Sequence, residues 1–420
     1  MNIICAYTAN VDAVCNIQGE EISRLLSRDM KIELKKSIAS REDLLSSLLF
    51  CMMQGSGAEI LIENETVAGW IEESFSWQFR LGGNAAIMAN VLAMLEAKPV
   101  LNAPALGPRL AGMLHSAVSV PGLLSADLLQ EEKAEMVHFV FQFKKGSEIS
   151  SWERRIIASS DNRFIATFDP VNTRMLTSRN FDNFCLENIQ DIDGALLSGF
   201  HLVPLNGYHE IFTERIAQIR SWKQRNPRIF IHIEMGSFQS PLIMHSLLSL
   251  LSEISADSLG LNEDELAAAE GLPSGLPPSG WRESMQAAMQ LRKRLDIFRV
   301  AVHTRDYILS VMQPEKIAAH DELIALQKGV EAAAALASTG IASSKAEAEI
   351  NPLGLEAVDE FCRNGAVAFG RGAFLHQCGA VISLMPSLVV KKPKITVGLG
   401  DTATATMLFH ELMAIRKMCD

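Results

Sequence analysis

Residues 392–412 read KPKITVGLGDTATATMLFHEL, with two glycines and an aspartate between an apolar run and a helical pattern. The β-branched run before Gly398 predicts a buried strand, and the residues after Asp401 predict a helix that begins near Thr402. Glycines at the junction let the backbone turn tightly and expose its amides, while the helix presents its positive end to the same place. The pattern therefore predicts an anion site beside a carboxylate, Asp401.

Four more apolar runs end in polar residues in the same way. They are NIICAY before Thr8, Asn10 and Asp12, GALLSG at Ser198, RIFIHIE at Glu234 and FRVAVHT at Thr304. Helical patterns such as NAAIMANVLAMLEA and WRESMQAAMQLRKRL separate them. This alternation predicts an α/β fold with a doubly wound, mostly parallel sheet flanked by helices, whose ligands bind beyond the carboxyl ends of the strands.

Two regions interrupt the alternation. Residues 55–81 and 133–168 show the period-two pattern of half-exposed strands and hairpins. We expect them to build a smaller, discontinuous β-rich lid domain. The approximate division is 1–15, 82–132 and 169–420 for the large nucleotide-binding domain, and 16–81 with 133–168 for the lid.

The composition excludes several classes of protein. The 420 residues are 48% hydrophobic, and 38 basic against 49 acidic residues give a net charge of −11. Because no basic run could follow a phosphodiester backbone, nucleic acid is not an expected partner. Neither a membrane span of roughly 20 apolar residues nor a basic leader is present, so we expect a cytoplasmic protein with no membrane partner. Seven scattered cysteines without a C-x-x-C pair indicate neither disulfides nor a zinc site.

The chemistry favoured by the C-terminal junction is phosphoryl transfer. An aspartate beside an anion site is suited to take a proton from an attacking hydroxyl as a phosphoryl group moves onto that oxygen. Such transfer depends more on positioning and electrostatic stabilisation than on covalent chemistry. The alternative is that Asp401 only caps the helix, and the G-x-G-D pattern alone does not decide between the two.

Three further patterns favour the enzymatic interpretation. GLNEDEL places Asn262 and Glu265 three residues apart at a helix start, where they can order a hydrated Mg²⁺ that bridges phosphates. HIE places His232 and Glu234 on one side of a strand, and a carboxylate buried there needs a partner. The groups suited to a polyol are Asn10, Asp12, Gly82, Gly83 and Asn84. Ordinary caps, a core histidine and ordinary turns are the respective alternatives.

Together these motifs resemble the archaeal-type ADP-dependent sugar kinases, the phosphofructokinase and glucokinase family of the ribokinase-like superfamily. The motifs keep the family's order along the whole chain: AYTANVDAV, RLGGNAAIMANVLA, NRFI, LLSGFHLV, HIE, GLNEDELA, VHT and KPKITVGLGDTATA. The resemblance implies a ribokinase-like fold with a β lid that closes over the sugar. It also implies transfer of the β-phosphoryl group of ADP to a hexose or hexose phosphate, assisted by Mg²⁺ or another divalent cation.

The resemblance implies a role for each matching residue. Asp401 would be the catalytic base. The amides that hold the transferred group would be those around Gly398, Gly400 and Thr402. The metal-associated residues would be Asn262, Glu265, Glu234 and its neighbour His232. The sugar site would be lined by Asn10, Asp12, Gly82, Gly83 and Asn84, the last replacing the family's usual Gln. The nucleotide would lie near His303, Thr304, Val397 and Thr402.

The acceptor sugar stays open at this point. A sugar phosphate needs cations, and those expected in the lid are Lys144, Lys145, Arg163 and Arg179. The position at which the family separates glucose from fructose 6-phosphate lies near Ala58 and Glu59, where a carboxylate favours an uncharged hydroxyl and repels a phosphate. We predict conversion of fructose 6-phosphate to fructose 1,6-bisphosphate with AMP as product; a glucokinase or a bifunctional enzyme is the alternative.

Functions of other classes also stay open. A non-catalytic sugar or nucleotide sensor could use the same fold, but it would not need Asp401, Glu265 and Glu234. An ATP-dependent ribokinase-like enzyme is the nearest rival among kinases. A nicotinamide-dependent oxidoreductase is disfavoured because no G-x-G-x-x-G follows the first strand. The expected kinase binds a sugar and ADP as a monomer or small homo-oligomer.

Overall fold

Two sheets of unequal size organise the chain. The computed structural model describes residues 1–17, 19–122, 135–151, 154–238, 240–271, 278, 280–343 and 345–419. The strands, numbered in chain order, are β1 (Asn2–Ala6), β2 (Asn10–Asn16), β3 (Ala58–Leu61), β4 (Gln78–Gly82), β5 (Lys98–Leu101), β6 (Val137–Phe143), β7 (Glu148–Ser151), β8 (Arg154–Ile157), β9 (Asn162–Phe168), β10 (Gly194–Leu197), β11 (Phe230–Glu234), β12 (Ser258–Asn262), β13 (Arg299–His303), β14 (Tyr307–Met312), β15 (Glu349–Ile350), β16 (Val367–Phe369), β17 (Gly372–Gln377), β18 (Ala380–Pro386) and β19 (Leu388–Val389).

The helices cover most of the chain between these strands. They are α1 (Gly19–Leu25), α2 (Arg41–Gln54), α3 (Glu65–Ser74), α4 (Asn84–Met94), α5 (Pro108–Met113), α6 (Arg179–Asn188), α7 (Tyr208–Arg225), α8 (Pro241–Leu251), α9 (Glu263–Ala269), α10 (Trp281–Leu295), α11 (Ala319–Thr339), α12 (Pro352–Arg363) and α13 (Leu399–Cys419). Short 3₁₀ helices lie at Asn172–Arg174, Ile189–Asp191 and Phe200–Leu202. No helix in the described part of the chain has both the length and the apolar character needed to cross a bilayer.

The large sheet contains ten strands in the order β16-β17-β18-β14-β13-β12-β11-β10-β1-β5. The strands from β13 to β5 run parallel to one another, and β14, β18, β17 and β16 continue the sheet in antiparallel pairing. The predicted α/β fold with a doubly wound, mostly parallel sheet is confirmed. The strands predicted at NIICAY, GALLSG, RIFIHIE and FRVAVHT are β1, β10, β11 and β13.

Helices cover both faces of this sheet because the buried strands are apolar on both sides. Ile4 and Ala6 of β1 pack into one core, which includes buried residues of α6, α7, α8, α10 and α12. Ile3 and Cys5 pack into the other core, together with α4 and α13. The second layer thus holds both α4 and α13, and their first residues meet where Asn84 bonds to Asp401.

A smaller sheet of five strands, β3-β9-β6-β2-β4, has its own core with α2 and α3. We call it the lid sheet. The expected lid region 133–168 contributes β6 and β9 to this sheet, and its β7 and β8 pair with each other in a separate two-stranded sheet. The boundary expected at residues 132/133 lies outside the described residues. Strand β2 pairs with β4 and β6, so residues 10–15, which we expected in the large domain, lie in the lid sheet.

Residues 55–81 contain a helix that their sequence pattern did not predict. We expected strands and hairpins there, but α3 lies between β3 and β4. The Asn64 side chain accepts a hydrogen bond from the Val67 amide and caps the helix. Val67, Ala68 and Ile71 of α3 are buried. Local capping and burial of one face therefore outweigh the β-branched residues of this stretch.

The strand predicted at KITVGLGD is absent. The amides of Lys394 and Ile395 both donate to the carbonyl of Ala337, at 2.7 and 3.4 Å, so the last turn of α11 holds this segment in place of a neighbouring strand. Helix α13 begins at Leu399, before the predicted start near Thr402, and Asp401 lies in its first turn. The glycines and the aspartate thus join an irregular segment to a helix.

Candidate active site

A cleft of about 190 Å³ separates the lid sheet from the carboxyl edge of the large sheet. Its lid wall includes Asn10, Asp12, Glu59, His138 and Arg163. Its other wall includes Thr8, Gly83, Asn84, His201, Val397, Gly398 and Asp401. Residues predicted separately for the sugar, the transferred phosphoryl group and the nucleotide therefore share one cavity.

The two glycines before α4 make room for the polar side chains of β2. A Cβ at Gly82 would overlap Asp12 Oδ1 and Asn10 Nδ2, and a Cβ at Gly83 would lie 2.7 Å from Asn10 Oδ1. Gly83 also has φ +79°, a conformation that side chains rarely adopt. Asn10 Nδ2 donates to Asp12 Oδ1 at 2.8 Å. Close approach of two backbones therefore brings Asn10, Asp12 and the start of α4 together.

Asn84 and Asp401 join the starts of two helices. Asn84 Nδ2, at the start of α4, donates to Asp401 Oδ1 at 2.6 Å. Removal from water raises the pKa of Asp401 to about 6; the hydrogen bond from Asn84 opposes this rise and the charge of Glu234 adds to it. A carboxylate with this pKa is ionised at neutral pH and accepts a proton more readily than an ordinary aspartate.

Backbone amides surround the same carboxylate. Gly398 has φ +75°, and the Thr402 amide donates to the Gly398 carbonyl at 3.0 Å as the first bond of α13. Helix geometry leaves the preceding amides, those of Leu399, Gly400 and Asp401, without an acceptor inside the helix. Of the amides predicted to hold the phosphoryl group, that of Thr402 is therefore engaged within α13, whereas that of Gly400 is not.

Glu234 lies next to this helix start, at the carboxyl end of β11. It is only 4% exposed. Its Oε2 is 3.0 Å from His232 Nε2, and its Oε1 is 3.8 Å from His303 Nε2. A Cβ at Gly260 on the neighbouring strand would overlap Oε2, so this glycine makes room for the carboxylate. Burial raises the pKa of Glu234.

His232 is neutral beside it. Burial, together with the charge of Arg299, lowers the pKa of His232 to about 3. The imidazole therefore does not cancel the charge of Glu234.

Asn262 and Glu265 form a capping box at the start of α9. The Asn262 side chain accepts from the Glu265 amide, and Glu265 Oε2 accepts from the Asn262 amide, both at 2.9 Å. Asn262 Nδ2 also donates to Glu265 Oε1 at 2.9 Å. Asn262 and Glu265 therefore do form a helix cap, which was the alternative to a metal site. A ligand would bind to oxygens that already accept hydrogen bonds.

The chemistry of these groups fits a hard cation. No group of three or more His, Cys, Asp or Glu side chains within the described ranges is arranged to hold a metal ion alone. Mg²⁺ usually keeps several waters and binds through one or two carboxylates and substrate phosphates. Burial and the charges of Glu234, Asp264 and Asp401 raise the pKa of Glu265 to about 8, although the Asn262 amide opposes the rise. A cation would offset this accumulated negative charge.

The predicted nucleotide residues have separate structural surroundings. Thr304 Oγ1 donates to the Tyr307 carbonyl at 2.8 Å and accepts from the Tyr307 amide at 3.0 Å, so it holds the turn between β13 and β14. His303 Nε2 would lie 3.3 Å from a Cβ at Gly400. Val397 lines the cleft and Thr402 is fully buried. His303 and Val397 therefore lie at the predicted anion site, whereas the Thr304 and Thr402 side chains do not reach the cleft.

His138, which the sequence patterns did not single out, lies beside Asp12 in the paired strands β2 and β6. Its Nε2 is 2.9 Å from Asp169 Oδ2, and its Nδ1 is 3.7 Å from Glu59 Oε1. Burial lowers the pKa of His138, but the hydrogen bond and the charges of Asp169, Glu59 and Asp12 outweigh this and raise it to about 9. The available signal was the alternation in VHFVFQF, which places His138 and Gln142 on one face of a strand whose other face is apolar.

Asp169 also connects the site, by hydrogen bonds, to the chain segments that link the two sheets. Its carboxylate accepts from the Asn172 amide at 2.7 Å and from Asn172 Nδ2 at 2.6 Å. Asn172 Nδ2 donates further to the Ala9 carbonyl at 3.2 Å. Ala9 precedes β2, and Asp169 follows β9, so one hydrogen-bonded group joins two of the segments that connect the sheets.

Two of the cations predicted for the lid, Arg163 and Arg179, lie in different parts of the structure. Arg163 on β9 lines the cleft, and its charge opposes the burial that raises the pKa of Asp12 to about 6. Arg179 begins α6 of the large domain and does not belong to the lid sheet. Glu59, near the predicted specificity position, lines the cleft and accepts from Thr167 Oγ1 at 2.8 Å.

A doubly wound sheet, a lid sheet and a carboxylate at a glycine-bounded helix start define a kinase that acts on small molecules. The conserved-region model of the ADP-specific phosphofructokinase/glucokinase family matches residues 1–410. The chain belongs to this family.

Relatives of known activity match nearly the whole chain. An ADP-specific phosphofructokinase of Methanosarcina acetivorans is 26% identical over 463 residues, which cover 98% of this chain and 93% of the relative. An ADP-dependent glucose/glucosamine kinase of Pyrococcus furiosus is 25% identical over 444 residues, covering 97% and 94%. The resemblance seen in the motifs is confirmed, and it includes relatives of both sugar specificities.

Solved structures show the same fold. A phosphofructokinase from Pyrococcus horikoshii with AMP aligns with a TM-score of 0.81 at 23% identity, covering 99% of this chain and 98% of that one. An ADP-dependent kinase in complex with fructose 6-phosphate and ADPβS also gives 0.81, at 24% identity, covering 99% and 94%.

Proposed function

We propose that the protein transfers the β-phosphoryl group of ADP to fructose 6-phosphate, giving fructose 1,6-bisphosphate and AMP. The observation that carries this proposal is the shared cleft, in which Asp401 lies beside the free helix amides on one side and polyol-binding groups on the other. Family membership supports ADP as the donor. A sensor would gain nothing from a proton acceptor at this place.

Asp401 acts as the general base in this proposal. The acceptor hydroxyl gives its proton to the carboxylate as its oxygen bonds to the β-phosphorus. The bond from that phosphorus to the bridging oxygen breaks, and AMP leaves with the electron pair. The amides of Leu399, Gly400 and Asp401 stabilise the charge on the moving group, because they are oriented before the reaction begins.

A divalent cation, which we propose is Mg²⁺, would supply charge neutralisation between the phosphates. Asn262, Glu265 and Glu234 would hold it, partly through water. His303, Thr304, Val397 and Thr402 stay as the proposed surroundings of the nucleotide.

Arg163 is the group that favours a phosphorylated acceptor. It lies on the lid wall of the cleft, where a charge-assisted hydrogen bond to phosphate is strong. Asn10, Asp12, Gly82, Gly83 and Asn84 would surround the sugar ring. Glucose is the second candidate acceptor because the Glu59 carboxylate shares the wall with Arg163 and would repel a phosphate close to it.

A coupled assay that crosses ADP and ATP with fructose 6-phosphate and glucose, in Mg²⁺ buffer, tests the proposal. We expect the highest kcat/KM with ADP and fructose 6-phosphate. Turnover with ATP alone would overturn the proposed donor. Turnover of glucose alone would establish the second candidate acceptor, and binding of sugar without turnover of any pair would establish a sensor.

A further inference from the structure

A line of buried polar side chains crosses the large sheet beneath the cleft. Arg299 on β13 is 1% exposed and pairs with carboxylates of two helices, at 2.8 Å from Glu322 Oε1 of α11 and 2.6 Å from Glu411 Oε1 of α13. Its Nη1 also donates to Ser258 Oγ on β12 at 3.2 Å. None of these groups reaches the cleft, so none can contact a substrate.

The line continues from Ser258 to the carboxyl edge. Ser258 Oγ is 2.9 Å from His232 Nδ1, and His232 Nε2 is 3.0 Å from Glu234 Oε2. Ser258 and His232 are 0% and 1% exposed, so water does not compete for these bonds. Three adjacent strands, β13, β12 and β11, thus connect a buried guanidinium to the carboxylate beside the helix start.

The donors and acceptors available fix the direction of the hydrogen bonds in this line, from Arg299 toward Glu234. A guanidinium can only donate, so Ser258 Oγ accepts from Arg299. A carboxylate that binds a cation is ionised and can only accept, so with Glu234 as a metal ligand His232 Nε2 carries the proton. In a neutral imidazole the other nitrogen, Nδ1, then accepts, and it receives the hydroxyl hydrogen of Ser258. Each contact from Arg299 Nη1 through Ser258 and His232 to Glu234 then joins one donor to one acceptor, and these bonds fix the Glu234 carboxylate in position.

We propose that Ser258 and Arg299 are positioning residues that keep His232 in its Nε2–H tautomer and so hold Glu234 in place for the divalent cation. This inference rests on the proposed function. Groups of this kind commonly change metal affinity without touching the metal, because they orient the ligand that does. The ion pairs to α11 and α13 fix Arg299 in turn.

Replacement of Ser258 by Ala tests the link with little disturbance of the core. Arg299 is unsuited to the test because its removal would leave two buried carboxylates unpaired. The matched control is Ser383→Ala on β18, a fully buried serine of the same sheet whose hydroxyl has no hydrogen-bond partner among the described residues. Thermal unfolding of both variants checks that they are folded.

We expect Ser258→Ala to weaken Mn²⁺ binding, followed by electron paramagnetic resonance with ADP present, by about tenfold relative to Ser383→Ala. The Mg²⁺ concentration for half-maximal activity should rise in parallel, while KM for the sugar stays unchanged. Equal Mn²⁺ affinity in the two variants would overturn the inference.

A second measurement needs no variant. Nitrogen-15 spectra of histidine-labelled protein, assigned with His232→Gln, should show protonated Nε2 and unprotonated Nδ1 in the wild type. The opposite tautomer would contradict the proposed direction of the line. Failure of the proposed function is distinguished by the wild-type assay: no phosphoryl transfer would refute that function, while Mn²⁺ affinity and the tautomer would still report on the line.

Discussion

Asp401 has two oxygens in different surroundings. Oδ1 accepts from Asn84, and Oδ2 lies on the side of Gly398. The carboxylate is therefore oriented by one bond while the other oxygen faces the residues that shape the anion site. A general base of this kind must be both fixed and ionised.

Replacement of Asp401 by Asn removes the proton acceptor and keeps the shape of the side chain. We expect kcat to fall by about 10² to 10⁴, since this is the usual contribution of general-base catalysis. Sugar affinity, measured by calorimetry, should change little. Asp359→Asn on the exposed side of α12 is the control, and near-normal turnover by the Asp401 variant would refute the assigned role.

As the proposed general base, Asp401 should set the acid side of the pH profile of kcat. Its pKa is raised from 3.8 to about 6, so the base is ionised above this pH and kcat should fall as the pH drops through about 6. The Asn84 hydrogen bond lowers this pKa, so Asn84→Ala should move the acid limb to higher pH. Saturating sugar is required because Asp12 also has a pKa of about 6. An unmoved limb in the variant would contradict this account.

The proposed contact of Arg163 with a sugar phosphate should separate the two candidate acceptors. Arg163→Ala should raise KM for fructose 6-phosphate well above any change in KM for ADP, because only the sugar phosphate loses a charge-assisted bond. Arg179→Ala, an exposed arginine outside the lid sheet, is the control. Equal increases for sugar and nucleotide would remove the phosphate-binding role.

Among the strands and helices, the sequence predicts best those that can be recognised from their own local pattern of apolar residues. The runs that become β1, β10, β11 and β13 are short and apolar, so each can be recognised as a buried strand from its own residues. The run at KITVGLGD looks the same but is held by the Ala337 carbonyl of α11, a contact between distant parts of the chain. His138 and Asp169 were missed for a related reason, because their partnership depends on how β6 and β9 pair.

The close approach before α4 is open to a direct test. Gly83→Ala should lower the free energy of unfolding by about 1 to 3 kcal/mol, because alanine is strained at φ +79°. It should also raise KM for the sugar, since the new Cβ meets Asn10. Gly69→Ala is the control: its Cβ would enter open space on α3, and alanine favours a helix by about 1 kcal/mol. Urea denaturation measures both, and equal stability of the two variants would contradict the strain.

For the whole molecule, the cleft lies between two sheets with separate cores. The sheets are joined near Asp169, Asn172 and Ala9, and the lid wall carries His138, which is bonded to Asp169. The lid wall of the cleft and the connecting segments thus share hydrogen bonds. This arrangement suits closure of the lid, which would exclude water from the transferred group.

Small-angle scattering measures that closure. The radius of gyration should decrease when fructose 6-phosphate is added, because the lid closes over the sugar. Asp401→Asn should still compact, since proton transfer is not needed for closure. An unchanged radius in the wild type at saturating sugar would refute the closure.

The pairing of β2 has a consequence for synthesis of the chain on the ribosome. This strand emerges among the first 16 residues, but its parallel partner β6 ends only at Phe143. Strand β1, which precedes β2 in the chain, likewise pairs with β10 at residues 194–197. Nascent chains shorter than this hold an apolar strand with one open edge. Such an edge can pair with other chains, so shielding by chaperones during translation would protect the yield of native enzyme.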